Sequence, residues 1–313
     1  PLSFSASSPR RIGKGANVVP TRFVRHAGCK SFLSNGGRAD NPGEDDPPHV
    51  DGPVVVKAPD RQGQKGLTLV LDPDDLADAI DTARGVARSG VALVEELADG
   101  PEVTAIGFSA DGTYHCLAVT DRIVADPPAF GVALAHVFPS HLGGQTPDMA
   151  ERAVRALGIT DGPSYTQLRV GRDGPQVIEV AARLGGGHDA ELVEAATGVD
   201  LNGLALDAAL GLTTATPAPA AGAEAGGAVT QFLVAPPGLL DETIVPEDLE
   251  GVLSVRIYRA PGYVFTPLRR GADRAGALLA VGASRGEALA RAKAAADRIR
   301  FVTADAGALV QAD

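Results

Sequence analysis

The sequence predicts an α+β fold, on three observations. Strand-like runs come in neighbouring pairs joined by glycine turns, as in VTAIGFSADGTYHCLAVTDR (103–122) and SYTQLRVGRDGPQVIEV (164–180), the pattern of antiparallel hairpins. Capped helical runs separate those pairs, as in DPDDLADAIDTARGVARSG (72–90). The 44% apolar share, carried mostly by Ala, Val and Leu with no Trp, suits a globular chain of 313 residues, long enough for two domains or for one large unit with an appendage.

The net charge of −11 and an isoelectric point near 5.0 argue against general binding to nucleic acid or to an anionic membrane, which would repel the chain outside a local basic patch. Residues 1–50 depart from the rest, with seven Lys/Arg against four Asp/Glu, a local +3 that leaves −14 elsewhere. Ser, Gly, Pro and Arg are frequent there and only VVPTRFV (18–24) reads as a strand, so the segment is expected to be poorly ordered or a remnant. Two cysteines, Cys29 and Cys116, are too few for a disulfide framework and point to free thiols in a reducing cytoplasm. No apolar run nears the ~20 residues of a membrane span, and the first residues lack the order of a secretory signal. The only methionine is Met149, so the chain reads as a fragment or a processed product.

From residue 53 the elements follow in order. PVVVKA (53–58) and GLTLVL (66–71) are strands on either side of a loop. Asp72 is a helix N-cap with Pro73 in the first turn, and Leu76, Ile80 and Ala83 share one helical face. Strand VALVEEL (91–97) precedes the 103–122 hairpin, which turns at ADG, and a long Pro-rich loop from Ile123 to Gly144 carries His136. Pro147 opens a second helix, DMAERAVRAL, stopped by Gly158. After the 164–180 hairpin, residues 185–211 are mostly helical and residues 213–228 read as a low-complexity linker or surface loop. A last α+β unit, 229–313, has strands at 229–234 and 252–257, the aromatic stretch GYVF, strand ALLAVGAS (277–284) and a terminal helix RGEALARAKAAADRIRF (285–301). The domain reading is therefore a remnant at 1–50, a main domain at 51–212, a linker at 213–228 and a C-terminal unit at 229–313.

Three stretches can carry chemistry. The first is VVVKAPDRQGQKG (54–66), in which Lys57 ends a β-branched strand and the loop holds Gln62, Gly63, Lys65 and Gly66. It matches neither GxxxxGK[ST] nor GxGxxG. A glycine loop between antiparallel strands with an adjacent lysine can fold over a polyphosphate; a hairpin whose charges face water fits this segment as well.

The second stretch is LVEELADGPEVTA (93–105), where Glu95 and Glu96 end a strand and Glu102 follows Gly100. Strands disfavour Glu and like charges repel, so these carboxylates suggest acceptors for an exocyclic amine and for ribose hydroxyls. Solvated acids at a strand terminus are the plain alternative.

The third is SYTQLRVGRDGPQVIEVAARLGGGHDAE (164–191). A three-residue hairpin loop over Arg172, Asp173 and Gly174 sets Gln167 opposite Glu179, on one face with Ala181 and Arg183. A two-residue loop puts the pair on opposite faces. In the first register Gln167 and Glu179 offer two oxygen ligands for Mg²⁺ beside an arginine. The glycines 185–187 precede a helix whose N-terminal amides can bind a carboxylate or phosphate, or they make a tight turn while Arg183 pairs with Asp189 or Glu191. His136, Asp121 or Arg122 could meet a substrate. No nucleophile elbow or Ser-His-Asp order supports a hydrolase, and no His or Cys stands at zinc spacing.

In this order and spacing the three stretches resemble the ATP-grasp superfamily over about residues 51–300, with VVVKAPDRQGQKG as its lysine and glycine loop, LVEELADGPE as its adenine and ribose segment, and QVIEVAARLGGG as its metal strand. The ending RAGALLAVGASRGEALARA resembles the carboxylate-amine ligase branch, with its L-amino acid ligases and its carbamoyl phosphate synthase and biotin carboxylase relatives.

The resemblance implies an ATP-grasp fold, two α+β subdomains sandwiching ATP, with a small C-terminal α+β unit. It implies Lys57 on the α and β phosphates of ATP, under the loop from Asp60 to Gly66. It implies Glu95, Glu96 and Leu97 at adenine, Glu102 at ribose, and Mg²⁺ or Mn²⁺ on Gln167 and Glu179. Arg183, with Lys57, would stabilise the transferred phosphoryl group, and His136, Arg183, Gly186 and Gly187 would meet the substrate.

The activity implied is that of a C–N bond-forming ligase that activates a small carboxylate as an acyl phosphate and couples it to an amine. A bicarbonate-using carboxylase passing through carboxyphosphate and a non-catalytic ATP-binding module are the alternatives. Partners are then small carboxylates and amines in the cytoplasm, without nucleic acid or membrane, and a homodimer is one assembly. Two positions depart from the pattern: Ala181 stands where many relatives carry Asn, and Gln167 where many carry Glu. Residues 1–50 match nothing of the α/β domain that such enzymes carry at the front.

Overall fold

A computed structural model describes residues 52–212, 217–218 and 226–304, together with the backbone of two earlier strands, 23–26 and 29–34. The chain divides into two compact units, Pro1–Ala98 and Asp99–Asp313.

The first unit holds a five-stranded antiparallel sheet of β1 (Phe23–His26), β2 (Cys29–Ser34), β3 (Val54–Lys57), β4 (Thr68–Val70) and β5 (Ala92–Glu96), in the order β1-β2-β5-β3-β4. The expected strand at 18–24 lies mostly outside the described residues, and β2 falls where the sequence predicts no strand. Asp72 accepts from the Asp74 N–H at 3.0 Å and caps a short 3-10 turn begun by Pro73; helix α1 (Leu76–Val86) follows directly. Leu76, Ala79, Ile80 and Ala83 of α1 pack on Val54, Val56, Ala92 and Val94, each buried Val or Leu contributing about 1.5–3 kcal/mol. Strand alternation then turns Val55, Lys57, Leu93 and Glu95 to the opposite face of the sheet.

The second unit is built on an eight-stranded antiparallel sheet. Its strands are β6 (Glu102–Ala110), β7 (Thr113–Val124), β8 (Ala133–Phe138), β9 (Gly162–Gly171), β10 (Gly174–Ala181), β11 (Gly227–Leu233), β13 (Val252–Ile257) and β15 (Gly276–Gly282), in the order β10-β9-β6-β7-β8-β11-β15-β13. A smaller sheet joins β14 (Val264–Phe265), β12 (Gly238–Ile244) and β16 (Arg300–Ala304).

Helices cover both faces of the large sheet. Ala150 of α2 (Thr146–Ala156) packs on Val103, Ala105 and Leu168, and Ala288, Ala292 and Ala295 of α5 (Arg285–Arg298) pack on Val137, Val229, Leu278 and Ala280. On the other face, Ala190 and Val193 of α3 (Asp189–Thr197) and Leu201 of α4 (Leu201–Ala209) pack on Ile106, Phe108 and Tyr165.

The predicted 103–122 hairpin turns at Asp111 and Gly112, both with positive φ (48° and 76°), the backbone a two-residue hairpin turn demands. Two expectations need correction. The 123–144 segment is not one loop, because β7 runs on to Val124 and the run ALAHVF forms β8 between β7 and β11; the prolines at 127, 128 and 139 only fence it. The terminal helix stops at Arg298, since Ile299 packs into the core and residues 300–304 pair with β12 as β16. Most of the expected 213–228 linker lies outside the described residues.

Candidate functional site

The 164–180 hairpin has a two-residue loop, so it starts in the register that would separate Gln167 from Glu179. Gly174 pairs with Gly171 and Val177 with Leu168; the ladder then shifts at Ile178, and Glu179 pairs directly with Gln167. A β-bulge thus restores the pairing that the sequence attributes to a longer loop. Gln167 donates from Nε2 to the Tyr165 hydroxyl at 3.2 Å, leaving Oε1 as an acceptor, and the Glu179 side chain is exposed.

Two protein oxygens on one sheet face suit Mg²⁺, which takes one or two carboxyl or carbonyl oxygens and completes its octahedron with phosphates and water. Among the described residues no cluster of three or more His, Cys, Asp or Glu is arranged for a metal. Ala181 faces Tyr165 across the ladder. Arg183 is exposed, donates to the Leu184 carbonyl at 2.8 Å and lies 5.9 Å from the Tyr165 ring centroid; the alternative pairing with Asp189 or Glu191 does not form among the described residues.

Register across the large sheet aligns a polar row on the α3/α4 face. Glu102 pairs with Arg122, Arg122 with His136, and His136 with Thr230. Glu102 is buried and ion-paired with Arg122 through Nη1, so its carboxylate is already engaged where the sequence suggests a ribose acceptor. Burial works against the Arg122 charge, but Tyr165 and Glu102 outweigh it and hold its pKa above the ordinary value.

His136 stands in β8, 2% exposed, and its Nδ1 lies 2.8 Å from Asp189 Oδ1 at the start of α3. The Gly187 N–H donates to Asp189 Oδ2 at 3.0 Å. Burial favours the neutral acid of Asp189, yet His136, that N–H and Arg122 together hold its pKa below the ordinary carboxylate value.

The glycine run is a close-packed turn. A Cβ on Gly187 would meet His136 Cε1 at 3.0 Å and Nε2 at 3.1 Å, and one on Gly185 would strike Asp189 and the Tyr165 ring. A Cβ on Gly186 would meet nothing within 4 Å, so that residue keeps an open face. His188 follows in a left-handed conformation (φ 59°), with Nε2 2.6 Å from the Tyr258 hydroxyl. The sequence gives no sign of the Asp189 and Arg122 contacts, because both depend on strand neighbours far apart in the chain.

In the first unit Lys57 and Glu95 form an ion pair on the sheet face opposite α1. They are diagonal neighbours, since Lys57 pairs with Leu93 and Val55 with Glu95. The Leu97 N–H donates to the Pro53 carbonyl at 3.0 Å. The loop is anchored at its start: Asp60 accepts from Arg88 N–H at 3.0 Å and from Ser89 N–H at 2.6 Å, and Arg61 donates to the Val86 carbonyl. Its tip, Gln62 and Gly63, is exposed, and Gly63 and Gln64 both have positive φ (71° and 61°). Lys65 is exposed, and Gly66 (φ 72°) lies so close to Val86 and Ala83 that no side chain fits there.

Comparison with known proteins adds the family. Residues 47–216 match the family model described as the carbamoyl-phosphate synthase L chain, ATP binding domain, and residues 231–304 match the L-amino acid ligase C-terminal domain 2. The protein y4rH of Sinorhizobium fredii is 31% identical over 264 residues, covering 75% of this chain and 50% of that protein. The L-amino acid ligase from Bacillus licheniformis superposes with a TM-score of 0.67 at 24% identity, over 82% of this chain and 65% of that one. The biotin carboxylase domain of the 2-oxoglutarate carboxylase from Hydrogenobacter thermophilus, solved with MgADP, ADP and bicarbonate, superposes with a TM-score of 0.64 at 18% identity, over 81% and 58%. This chain therefore spans about half the length of the curated relative it matches.

Proposed function

This chain belongs to the family of the carbamoyl-phosphate synthase L chain ATP-binding domain and has the ATP-grasp fold, and we propose that it is an ATP-dependent ligase that activates a small carboxylate as an acyl phosphate and couples it to an amine. The observation that carries this reading is the directly opposed Gln167 and Glu179 pair, with Arg183 four residues beyond.

A carboxylate oxygen of the substrate attacks the γ-phosphorus of ATP, the bond from that phosphorus to the β-phosphate oxygen breaks, and ADP leaves. The amine nitrogen then attacks the acyl carbon, the carbon–oxygen bond to phosphate breaks, inorganic phosphate leaves, and the nitrogen gives its proton to solvent. Mg²⁺ bound by Gln167 and Glu179 would supply neutralisation of phosphate charge.

Lys57 would bind the α and β phosphates, and the loop from Asp60 to Gly66 would cover them from its anchored start. Glu95 and backbone groups of Glu96 and Leu97 would face adenine. Arg183 would meet the charge that develops on the transferred phosphoryl group. Such catalysis is positioning and electrostatics and needs no nucleophilic side chain; burial pushes the Cys116 thiol up to about 11, which keeps it protonated at neutral pH.

The test is ADP formation from MgATP on adding a small carboxylate together with an amine. The reading predicts release that needs both; ATP that is neither bound nor turned over with any pair would overturn it. The bicarbonate bound in the Hydrogenobacter thermophilus neighbour favours one second reading, a carboxyphosphate-forming reaction on the same nucleotide residues. Release that requires bicarbonate and no other carboxylate would select that reading.

A further inference from the structure

We propose that Tyr165 is a positioning residue for the metal ligand Gln167: its hydroxyl takes up the nitrogen end of the Gln167 amide and so leaves the oxygen end free for Mg²⁺. The inference deepens the ligase reading above and rests on it, because that reading places Mg²⁺ on Gln167 and Glu179.

A neutral amide is an ambiguous metal ligand. A carboxylate such as Glu179 presents an oxygen whichever way its end is turned, whereas an amide has one oxygen and one NH₂, and only the oxygen can bind a cation. One of its two orientations is therefore unproductive. Gln167 is half-buried, so its NH₂ also needs an acceptor from the protein, because leaving a buried donor unmet is costly.

Tyr165 supplies that acceptor. It stands two residues before Gln167 on β9, on the same face of the sheet, and Gln167 Nε2 donates to its hydroxyl oxygen at 3.2 Å. Thr104 Oγ1, on the residue directly opposite Gln167 in β6, lies 3.4 Å from the same oxygen. Ala181, directly opposite Tyr165 in β10, has no side-chain polar atom to compete for the hydroxyl.

The ring that carries this hydroxyl is held in place. Tyr165 is 6% exposed and packs with Ile106 and Phe108 against Ala190, Val193 and Leu201. A Cβ on Gly185 would come within 2.6 Å of the ring, so the glycine turn lies directly on it. The Arg183 guanidinium carbon, 5.9 Å from the ring centroid, is within the range of a cation–π contact. One fixed side chain thus meets both the metal ligand and the arginine assigned to the phosphoryl group. Losing a residue that orients a metal ligand lowers metal affinity by about 10–100-fold, although the residue never touches the metal.

Calorimetry of ADP binding to the full 313-residue chain, run once with Mg²⁺ and once with EDTA, gives the metal's part as the ratio of the two affinities. Tyr165→Phe, which removes only the hydroxyl oxygen, should lower that ratio by about tenfold while affinity in EDTA changes by less than about twofold; a merely structural role would weaken both alike. In a Gln167→Glu background, where either end is an oxygen, the same substitution should change the ratio by less than about twofold. A second measurement needs no Tyr165 variant. In NMR of the unliganded chain, one side-chain N–H of Gln167, assigned by its absence from Gln167→Glu, should exchange with solvent about tenfold or more slowly than those of the exposed Gln62. A ratio unchanged in Tyr165→Phe, equal losses with and without Mg²⁺, a loss just as large in the Gln167→Glu background, or exchange as fast as at Gln62 would each overturn the positioning role and leave the ligase reading standing. An unaltered chain that binds ADP no better with Mg²⁺ than with EDTA would instead overturn the metal assignment of the ligase reading, and this inference with it.

Discussion

Gln167 and Glu179 stand directly opposite each other because the β9–β10 register shifts by one residue at Ile178. Without that bulge the two-residue loop would set Ile178 against Gln167 and turn Glu179 to the other face. The metal-binding capacity assigned to this hairpin therefore depends on one extra residue.

Glu179→Ala should lower kcat/KM by on the order of a hundredfold, about 3 kcal/mol of transition-state stabilisation. Because Glu179 is exposed, stability should change by no more than about 0.5 kcal/mol. Steady-state ADP release together with urea unfolding checks both halves. Equal losses of activity and stability would point to a structural role instead.

Lys57→Met should abolish protection by MgATP and, with the lysine charge removed from the mostly buried Glu95, destabilise the fold. Lys57→Met/Glu95→Gln should recover stability without recovering ATP binding. A double-mutant cycle in urea measures the coupling, expected at about 1 kcal/mol or more.

The buried Arg122–Glu102 pair makes a sharper stability prediction. Removing one partner, as in Glu102→Leu, leaves a buried charge and should cost about 3–5 kcal/mol, whereas Arg122→Met/Glu102→Leu should regain most of it. Chemical denaturation of the single and double variants checks this. A double variant no more stable than the worse single one would show that the pair is not the source of the loss.

Asp189 governs part of the acid limb of stability. Its folded pKa is held below 3.8, so the stability it brings is complete above the ordinary carboxylate value and is lost as pH falls through the lower folded one. The stability gap between the unaltered chain and Asp189→Asn should shrink as pH drops from about 5 toward about 2. Unfolding free energies over that range decide it, and a gap that widens on acidification would contradict the assignment.

Much of this was legible in the chain. Val54–Val56 with the capped helix after Asp72, and the ADG turn, follow from local patterns and appear as expected. Strand β8 escaped because ALAHVF sits between prolines and its partners, β7 and β11, lie far along the chain. The Gln167 pairing was anticipated through a longer loop than the chain uses, since local turn chemistry cannot reveal a bulge four residues away.

Thermal unfolding of the 313-residue chain with ATP, with and without Mg²⁺, tests the central claim most directly. At an ATP concentration of about 100 times the dissociation constant, binding adds roughly 2.7 kcal/mol of stability. The account predicts a Mg²⁺-dependent rise in the midpoint of several degrees that disappears in Glu179→Ala. A midpoint that ATP leaves unmoved, or a rise that persists undiminished in Glu179→Ala, would contradict it.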